Sequence, residues 1–143
     1  RRAITPEPKY TEEERDIVYA SLAYMGKLLA DEGVNVIIDA TANRRRYRDF
    51  ARRLIPNFAE VFIQAPLSVC MERESKRKAK FSPKNIYRKA TDEKAAVPGV
   101  NVAYEEPLSP EIAVDTTSMN LEESAGYIAD RILRIYYPGK IKI

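Results

Sequence analysis

Residues 33–48 read GVNVIIDATANRRRYR, and this stretch decides the fold class. Its apolar run, Val34–Ile38, is followed by the carboxylate of Asp39, the hydroxyl of Thr41 and then a series of arginines. A continuous apolar run of this length is typical of a strand that is covered on both faces of a parallel sheet. Open α/β sheets bind their ligands at the carboxyl ends of such strands. The stretch therefore predicts an α/β fold with a ligand site just after Ile38.

The arginines after the predicted strand favour an oxyanion as ligand, because a planar guanidinium binds phosphate or sulfate oxygens in pairs. We favour Arg45, just past the strand end, for this contact. Asp39 can orient a hydroxyl or a metal-bound water, as such carboxylates do in phosphoryl transfer. Two alternatives stay open: an Asx-type cap for Asp39, and a solvated helix face for the arginines as a group. That group is Arg44, Arg45, Arg46, Arg48, Arg52 and Arg53.

The composition describes one soluble globular domain of 143 residues, of which 45% are apolar and 31% charged. No apolar run approaches the roughly 20 residues of a membrane helix, so we expect no membrane association. The single cysteine, Cys70, can form no internal disulfide, which fits a reducing cytoplasm. These residues include no histidine and no paired cysteines, which excludes histidine-based acid–base catalysis and zinc sites from them.

Caps and breakers delimit the other elements. A capping box of Thr11 and Glu14 begins a first helix that Gly33 ends, and a second box begins at Asn120. Strands alternating with helices predict a mainly parallel sheet with helices on both faces. The remaining predicted elements are a helix over Arg44–Leu54, a buried strand over Glu60–Gln64, a helix from Pro66 to Arg73, a short helix near Ile86–Ala90 and a strand over Ile112–Asp115.

Residues 74–110 are polar and interrupted by Pro83, Pro98, Gly99, Pro107 and Pro110. This segment is long for a connection within a compact domain, so it indicates a functional lid. Its cations, together with Arg73, suit a lid that closes over phosphates and places positive charge where the transition state becomes negative.

Several motifs, in chain order, resemble the adenylylsulfate kinases, P-loop enzymes that phosphorylate adenosine 5′-phosphosulfate. Residues 60–73, EVFIQAPLSVCMER, are similar to the family's Glu-Val-Phe-Val-x-x-Pro-Leu-x-x-Cys-x-x-Arg. Residues 84–90, KNIYRKA, resemble Lys-Gly-Leu-Tyr-Lys-Lys-Ala, and residues 103–107, AYEEP, resemble Pro-Tyr-Glu-x-Pro. The helix-to-strand passage at 28–36 and the VDT of 114–116 also match, so the resemblance runs from end to end.

The resemblance implies a P-loop kinase-like domain over residues 1–143 that needs ATP and Mg²⁺. It would transfer the γ-phosphoryl group of ATP to the 3′-hydroxyl of adenosine 5′-phosphosulfate. A homodimer in the cytoplasm is expected, with a small-molecule nucleotide as substrate. Arg73 and Asp39 would act in catalysis, and Thr116 would contact the ATP nucleotide. The acceptor would be bound by Arg1, Tyr10, Arg15, Thr41, Arg45, Lys84 and Tyr104.

The chain departs from the family pattern in three places. Residues 41–45, TANRR, replace Ile-Ser-Pro-Tyr-Arg, so the serine is lost and the arginine kept. Residues 97–101, VPGVN, replace Phe-Thr-Gly-Ile-Asp, so an aromatic residue expected to stack on the acceptor's adenine is missing. Val18 stands where the family has an asparagine. These changes all concern the acceptor side.

These 143 residues contain no Gly-x-x-x-x-Gly-Lys-(Ser/Thr) loop, the motif that cradles nucleotide phosphates. We therefore expect the sequence to be the C-terminal part of a P-loop kinase, with an incomplete sheet and no activity by itself. In P-loop kinases the missing strand lies mid-sheet, so Val34–Ile38 should be unpaired.

Three alternatives remain. The first is a related small-molecule kinase with another acceptor. The second is a non-catalytic module that binds polyanions through two basic clusters, although nucleic acid is not the expected partner. The third is a degenerate kinase domain kept for subunit assembly.

Overall fold

A computed structural model describes residues 4–9, 11–78, 84–92 and 96–139. The chain divides into two compact units. Unit 1 comprises Arg1–Phe58 and Ala103–Glu106, and unit 2 comprises Ala59–Val102 and Pro107–Ile143. The expectation of one kinase-like domain over residues 1–143 stays a prediction.

Unit 1 contains two helices, α1 (Glu12–Asp31) and α2 (Arg45–Leu54). Thr11 caps α1 as predicted, since its hydroxyl accepts from the Glu14 amide at 3.3 Å. The Glu14 carboxylate accepts from the Lys9 amide at 2.8 Å and so binds the backbone just before the helix. Gly33 ends the helix with a φ of 77°, a left-handed conformation that glycine adopts without a steric penalty.

The core of unit 1 lies between α1 and α2. The rings of Tyr19 and Tyr47 stack with centroids 4.3 Å apart, and Tyr24 meets Phe50 edge to face at 5.7 Å. A Cβ on Gly26 would lie 3.1 Å from the Ile38 side chain, so the glycine permits a close approach there. The buried apolar residues of this unit are Val18, Ala23, Tyr47, Ala51 and Ile55.

The strand predicted over Val34–Ile38 does not form. The segment has no regular secondary structure and no sheet partner within the described residues, and Ile37 is 96% exposed. A strand needs a neighbouring strand to accept and donate its backbone hydrogen bonds, and no described segment supplies one. Val34–Ile38 therefore takes no part in a sheet within the described residues, and the strand assignment was wrong. The apolar face of α1 is exposed too, at Ile17, Met25, Leu28 and Leu29.

Unit 2 is built on two parallel strands, β1 (Val61–Gln64) and β2 (Ile112–Asp115), with Val61 opposite Ile112 and Gln64 opposite Asp115. The predicted parallel α/β arrangement is confirmed. Ile112 and Val114 of β2 are buried, but Ile63 of β1 is 62% exposed. The prediction of a buried strand over Glu60–Gln64 was therefore wrong in its burial, because Val61 and Phe62 are only half-buried and Ile63 and Gln64 are exposed.

Three helices accompany these strands: α3 (Leu67–Lys76), α4 (Ile86–Thr91) and α5 (Leu121–Tyr136). All three were expected, and Pro66 directly precedes α3. The predicted box at Asn120 is complete, since its side chain accepts from the Glu123 amide and Glu123 accepts from the Asn120 amide, both at 2.9 Å. Among the helices of the described ranges, none combines the length and apolar character that a bilayer span requires.

Asn120→Ala should lower the free energy of unfolding by about 1 kcal/mol, because it leaves the first amides of α5 without their side-chain acceptor. Urea denaturation of the variant and of wild type measures the loss. Glu122→Gln is the matched control, since Glu122 shares the first turn of α5 but takes no part in the box. Equal stability of the two variants would contradict this assignment.

Candidate functional site

The turn before α2 is held in an unusual conformation by aromatic and arginine side chains. Ala42 has a φ of 38°, which is strained for a residue with a Cβ. Its amide donates to the Tyr19 hydroxyl at 3.0 Å, and its carbonyl accepts from the Arg48 guanidinium. Because Tyr19 also stacks on Tyr47 of α2, the turn is fixed against the core of unit 1.

The segment Ala103–Glu106 lies against this turn. The Glu105 amide donates to the Asn43 carbonyl at 2.8 Å, and the Asn43 side-chain amide donates to the Ala103 carbonyl at 3.0 Å. Asn43 is only 2% exposed, and its side-chain bond to Ala103 is part-buried. We call the contact of residues 42–48 with Ala103–Glu106 the clasp.

The Glu105 carboxylate lies at the N-terminus of α2, where backbone amides lack helical partners. One of its oxygens accepts from the Arg45 amide at 2.8 Å, and the other accepts from the Arg44 guanidinium at 3.1 Å. These contacts hold the pKa of Glu105 below its usual range, the Arg45 amide having the larger effect. In return, Glu105 first and then Glu12 raise the pKa of Arg44.

The arginines near the start of α2 differ in what they contact. Arg44 pairs with Glu105 and with Glu12 at 3.2 Å, and Arg46 pairs with Asp16 at 2.7 Å, so carboxylates compensate both charges.

Arg45 and Arg48 instead donate to neutral oxygens. The Arg45 guanidinium donates to the Glu106 carbonyl at 3.1 Å, and Arg48 donates to the Glu105 carbonyl at 2.5 Å. The Arg48 guanidinium also lies over the Tyr104 ring, 5.5 Å from its centroid. A carbonyl orients a guanidinium without neutralising it, so the positive charge of Arg45 remains able to attract an anion.

In unit 2 the structure brings together two predicted site residues at the carboxyl end of the strands. The Arg73 guanidinium donates to the Thr116 hydroxyl at 2.7 Å and to the Thr116 carbonyl at 2.6 Å. The Thr116 hydroxyl in turn donates to the Gln64 carbonyl at 3.0 Å. Arg73 is therefore oriented by neutral oxygens at the end of β1 and β2. Next to it, hydrogen bonds from Thr117 lower the pKa of Asp115.

In the described parts of the expected lid, side-chain hydrogen bonds stabilise two turns. The Glu74 carboxylate accepts from the amide of Asn85, whose φ is 57°, at 2.7 Å. Asn85 stands where the family motif has glycine, the residue that adopts this conformation most readily. In the second turn, Asn101 accepts from the Val97 amide at 2.8 Å and donates to the Ala90 carbonyl at 3.1 Å. An aspartate, which the family motif has at this position, could not make that donation.

The other predicted site residues are spread over both units. Asp39 and Thr41 are exposed, Arg15 and Tyr104 are half-buried, and all four lie in unit 1. Lys84 is exposed in unit 2. Arg1 and Tyr10 lie outside the described residues. From the sequence, no role in the site was assigned to Asn43, Glu105 or Tyr19. The AYEEP motif could have indicated Glu105, whereas nothing in the sequence indicates that Asn43 contacts Ala103.

The described residues do not by themselves fit a Mg²⁺ ion. They contain no group of three or more histidine, cysteine, aspartate or glutamate side chains placed to hold a metal. Mg²⁺ can be bound through few carboxylates when phosphates and waters complete its shell. No metal ligand is assigned to this part of the chain.

Comparison with known proteins identifies the family. The model of the adenylylsulphate kinase family matches residues 1–115. An adenylyl-sulfate kinase of Rippkaea orientalis is 36% identical over 132 residues, which cover 92% of this chain and 68% of that protein. Probable adenylyl-sulfate kinases of Pyrococcus abyssi and Archaeoglobus fulgidus are 32% and 34% identical, and the matches cover 96% and 81% of this chain and 75% and 70% of those proteins. The chain belongs to the adenylylsulfate kinase family.

Acid should weaken unit 1 through Glu105. Because its folded pKa lies below the ordinary value of 4.5, its stabilisation is present above that pH and is lost as the pH falls through the folded pKa. Glu105→Gln should therefore lose less stability than wild type between neutral pH and about pH 3. Urea unfolding over that range measures the difference.

Glu106→Gln is the matched control for this prediction, because the Glu106 side chain is exposed and its carbonyl, not its carboxylate, accepts from Arg45. The groups facing Glu105 are Arg44, Arg45 and, through Arg44, Glu12. An acid profile of Glu105→Gln that overlays wild type would contradict the assignment.

Proposed function

We propose that this protein transfers the γ-phosphoryl group of ATP to the 3′-hydroxyl of adenosine 5′-phosphosulfate. Membership of the adenylylsulfate kinase family is the observation that carries the proposal. The charges of the described residues agree with it, since both substrates are polyanions and the predicted cations Arg45 and Arg73 are oriented by neutral oxygens.

On the acceptor side, the proposal assigns oxyanion binding to Arg45. Its backbone amide and its guanidinium are both fixed by the Glu105–Glu106 segment, so little conformational entropy is lost when it binds an anion. Tyr104 belongs to the same segment and would line the site, while Arg1, Tyr10, Arg15, Thr41 and Lys84 remain proposed acceptor contacts by resemblance.

On the ATP side, the proposal assigns charge stabilisation to Arg73. Its guanidinium is held by two hydrogen bonds to Thr116, and a positioned cation is what a phosphoryl-transfer transition state requires. The Thr116 hydroxyl and carbonyl are occupied by this contact. We therefore propose that Thr116 serves the nucleotide through Arg73, and that Asp39 orients a polar group at the reaction centre.

Several finer expectations remain proposals. Exposed Val34–Ile38, and β1 with its one neighbour among the described strands, each offer an edge for strand pairing. Mg²⁺, when bound, would neutralise charge on the nucleotide phosphates. A homodimer and a cytoplasmic location are proposed as well; the free, half-buried Cys70 is compatible with a reducing compartment.

The activity is tested by incubating the full-length protein with ATP, Mg²⁺ and adenosine 5′-phosphosulfate and measuring the 3′-phosphorylated product. A panel of other hydroxyl acceptors serves as comparison, because the serine and the stacking aromatic of the family motifs are replaced here. Faster turnover of another acceptor would identify a related kinase. Salt-sensitive polyanion binding without any turnover would identify a binding module instead.

Arg45→Gln should lower kcat/KM for the acceptor by about 10- to 100-fold, because one charge-assisted hydrogen bond to an oxyanion is lost. Arg53→Gln on the same helix is the matched control, since Arg53 is exposed and lies beyond the clasp. Steady-state kinetics with the acceptor varied at saturating ATP measure both variants. Equal values for the two variants would remove Arg45 from the acceptor site.

A further inference from the structure

We propose that Asn43 and Glu105 are positioning residues of the acceptor site: they fasten Ala103–Glu106 to the start of α2 and so fix Tyr104 and Arg45 for the acceptor nucleotide. This inference rests on the proposed function and adds two residues to it. Neither residue needs to touch the substrate. Each acts through the neighbours that it holds.

The hydrogen bonding of the buried Asn43 side chain is not explained by a contribution to protein stability alone. Its side chain is buried and donates to the Ala103 carbonyl, but its Oδ1 has no hydrogen-bond partner within the described part of the chain. A buried amide with an unsatisfied oxygen carries a desolvation cost that offsets much of its hydrogen bond to Ala103, so its net contribution to the free energy of unfolding is small. What the amide does provide is a fixed register between residue 43 and residue 103.

The asparagine also distinguishes this chain from the family motif. It stands where Ile-Ser-Pro-Tyr-Arg has proline, a residue with no side-chain donor. The bond to Ala103 is therefore a property of this sequence. It coincides with the loss of the motif's serine one position earlier and of the aromatic residue at 97, so the acceptor side of this chain is organised differently.

Glu105 makes four hydrogen bonds to residues 43–48. Its amide donates to Asn43, its carbonyl accepts from Arg48, and its carboxylate accepts from the Arg45 amide and the Arg44 guanidinium. A single residue thus holds three arginines and the turn in one arrangement. Neighbouring Glu106 contributes only its carbonyl, to Arg45.

Tyr104 is fixed as a result, because the residues on both sides of it are bound to the turn. Ala103 is held by Asn43 and Glu105 by the arginines, while the Arg48 guanidinium lies over the Tyr104 ring. The ring is half-buried. Its orientation therefore follows the clasp, and a loosened clasp would misplace the ring and the Arg45 guanidinium together.

The structural half of the proposal is tested without substrate. We measure hydrogen exchange at the amide of residue 105. It should be at least about tenfold faster in Asn43→Leu and in Glu105→Gln than in wild type, because local opening becomes easier. Glu106→Gln should exchange as wild type. Thermal unfolding of each variant confirms that the fold is retained, and Glu105→Gln provides the measurement if Asn43→Leu does not fold.

The functional half is tested by kinetics of the full-length protein. Asn43→Leu and Glu105→Gln should raise KM for adenosine 5′-phosphosulfate about tenfold, with kcat within about twofold of wild type and KM for ATP unchanged, because binding geometry and not chemistry is affected. Glu105→Gln, which keeps an oxygen for the Arg45 amide, should be milder than Glu105→Ala. Arg53→Gln, at an exposed position beyond the clasp, should equal wild type.

Three outcomes would overturn the inference. Unchanged exchange at residue 105 would show that the clasp does not depend on these side chains. Faster exchange with an unchanged acceptor KM would show a structural role only. A parallel loss in kcat and in both KM values, with a lower Tm, would show general destabilisation. Failure of the proposed function is distinct, because wild type itself would then not phosphorylate adenosine 5′-phosphosulfate.

Discussion

The hydrogen bond between the Arg45 amide and the Glu105 carboxylate joins residues that are 60 positions apart in the sequence. Helix α2 begins at Arg45 with no side-chain cap from its own N-cap residue, Arg44. Its first amides would be left unsatisfied without an external acceptor, and a carboxylate suits the positive end of the helix dipole. The capping of α2 and the position of Tyr104 consequently depend on the same side chain.

The partners of each arginine decide where positive charge remains available. Arg44 and Arg46 are compensated by Glu12, Asp16 and Glu105, so the basic appearance of residues 44–53 overstates the charge that a ligand would meet. Arg45 and Arg73 are held by carbonyl and hydroxyl oxygens, which fix the direction of the guanidinium and leave its charge in place. The same residue type therefore has two roles within one chain, a structural role and one suited to oxyanions.

Whether a feature could be predicted depends on how far apart in the sequence the interacting residues lie. The cap at Asn120, the end of α1 at Gly33 and the strand Ile112–Asp115 depend on neighbouring residues or on local composition, and all three were predicted correctly. The bond from Asn43 to Ala103 spans 60 residues and has no sequence signature, so it could not be predicted. The bond from the Lys9 amide to the Glu14 carboxylate spans five residues and was not predicted either.

The segment Val34–Ile38 shows that a strand is not a local property of a sequence. Its composition is strongly strand-like, yet it has no strand partner within the described residues and its side chains are exposed to water. Exposed apolar surface of this kind is unfavourable at about 25 cal/mol per Å², so the segment would gain free energy from any neighbour that covers it and pairs with it. A parallel strand meets both needs at once, because it satisfies the backbone groups and lets helices cover the faces. The strand assignment thus failed because an apolar pattern does not determine whether a neighbouring strand pairs with the segment.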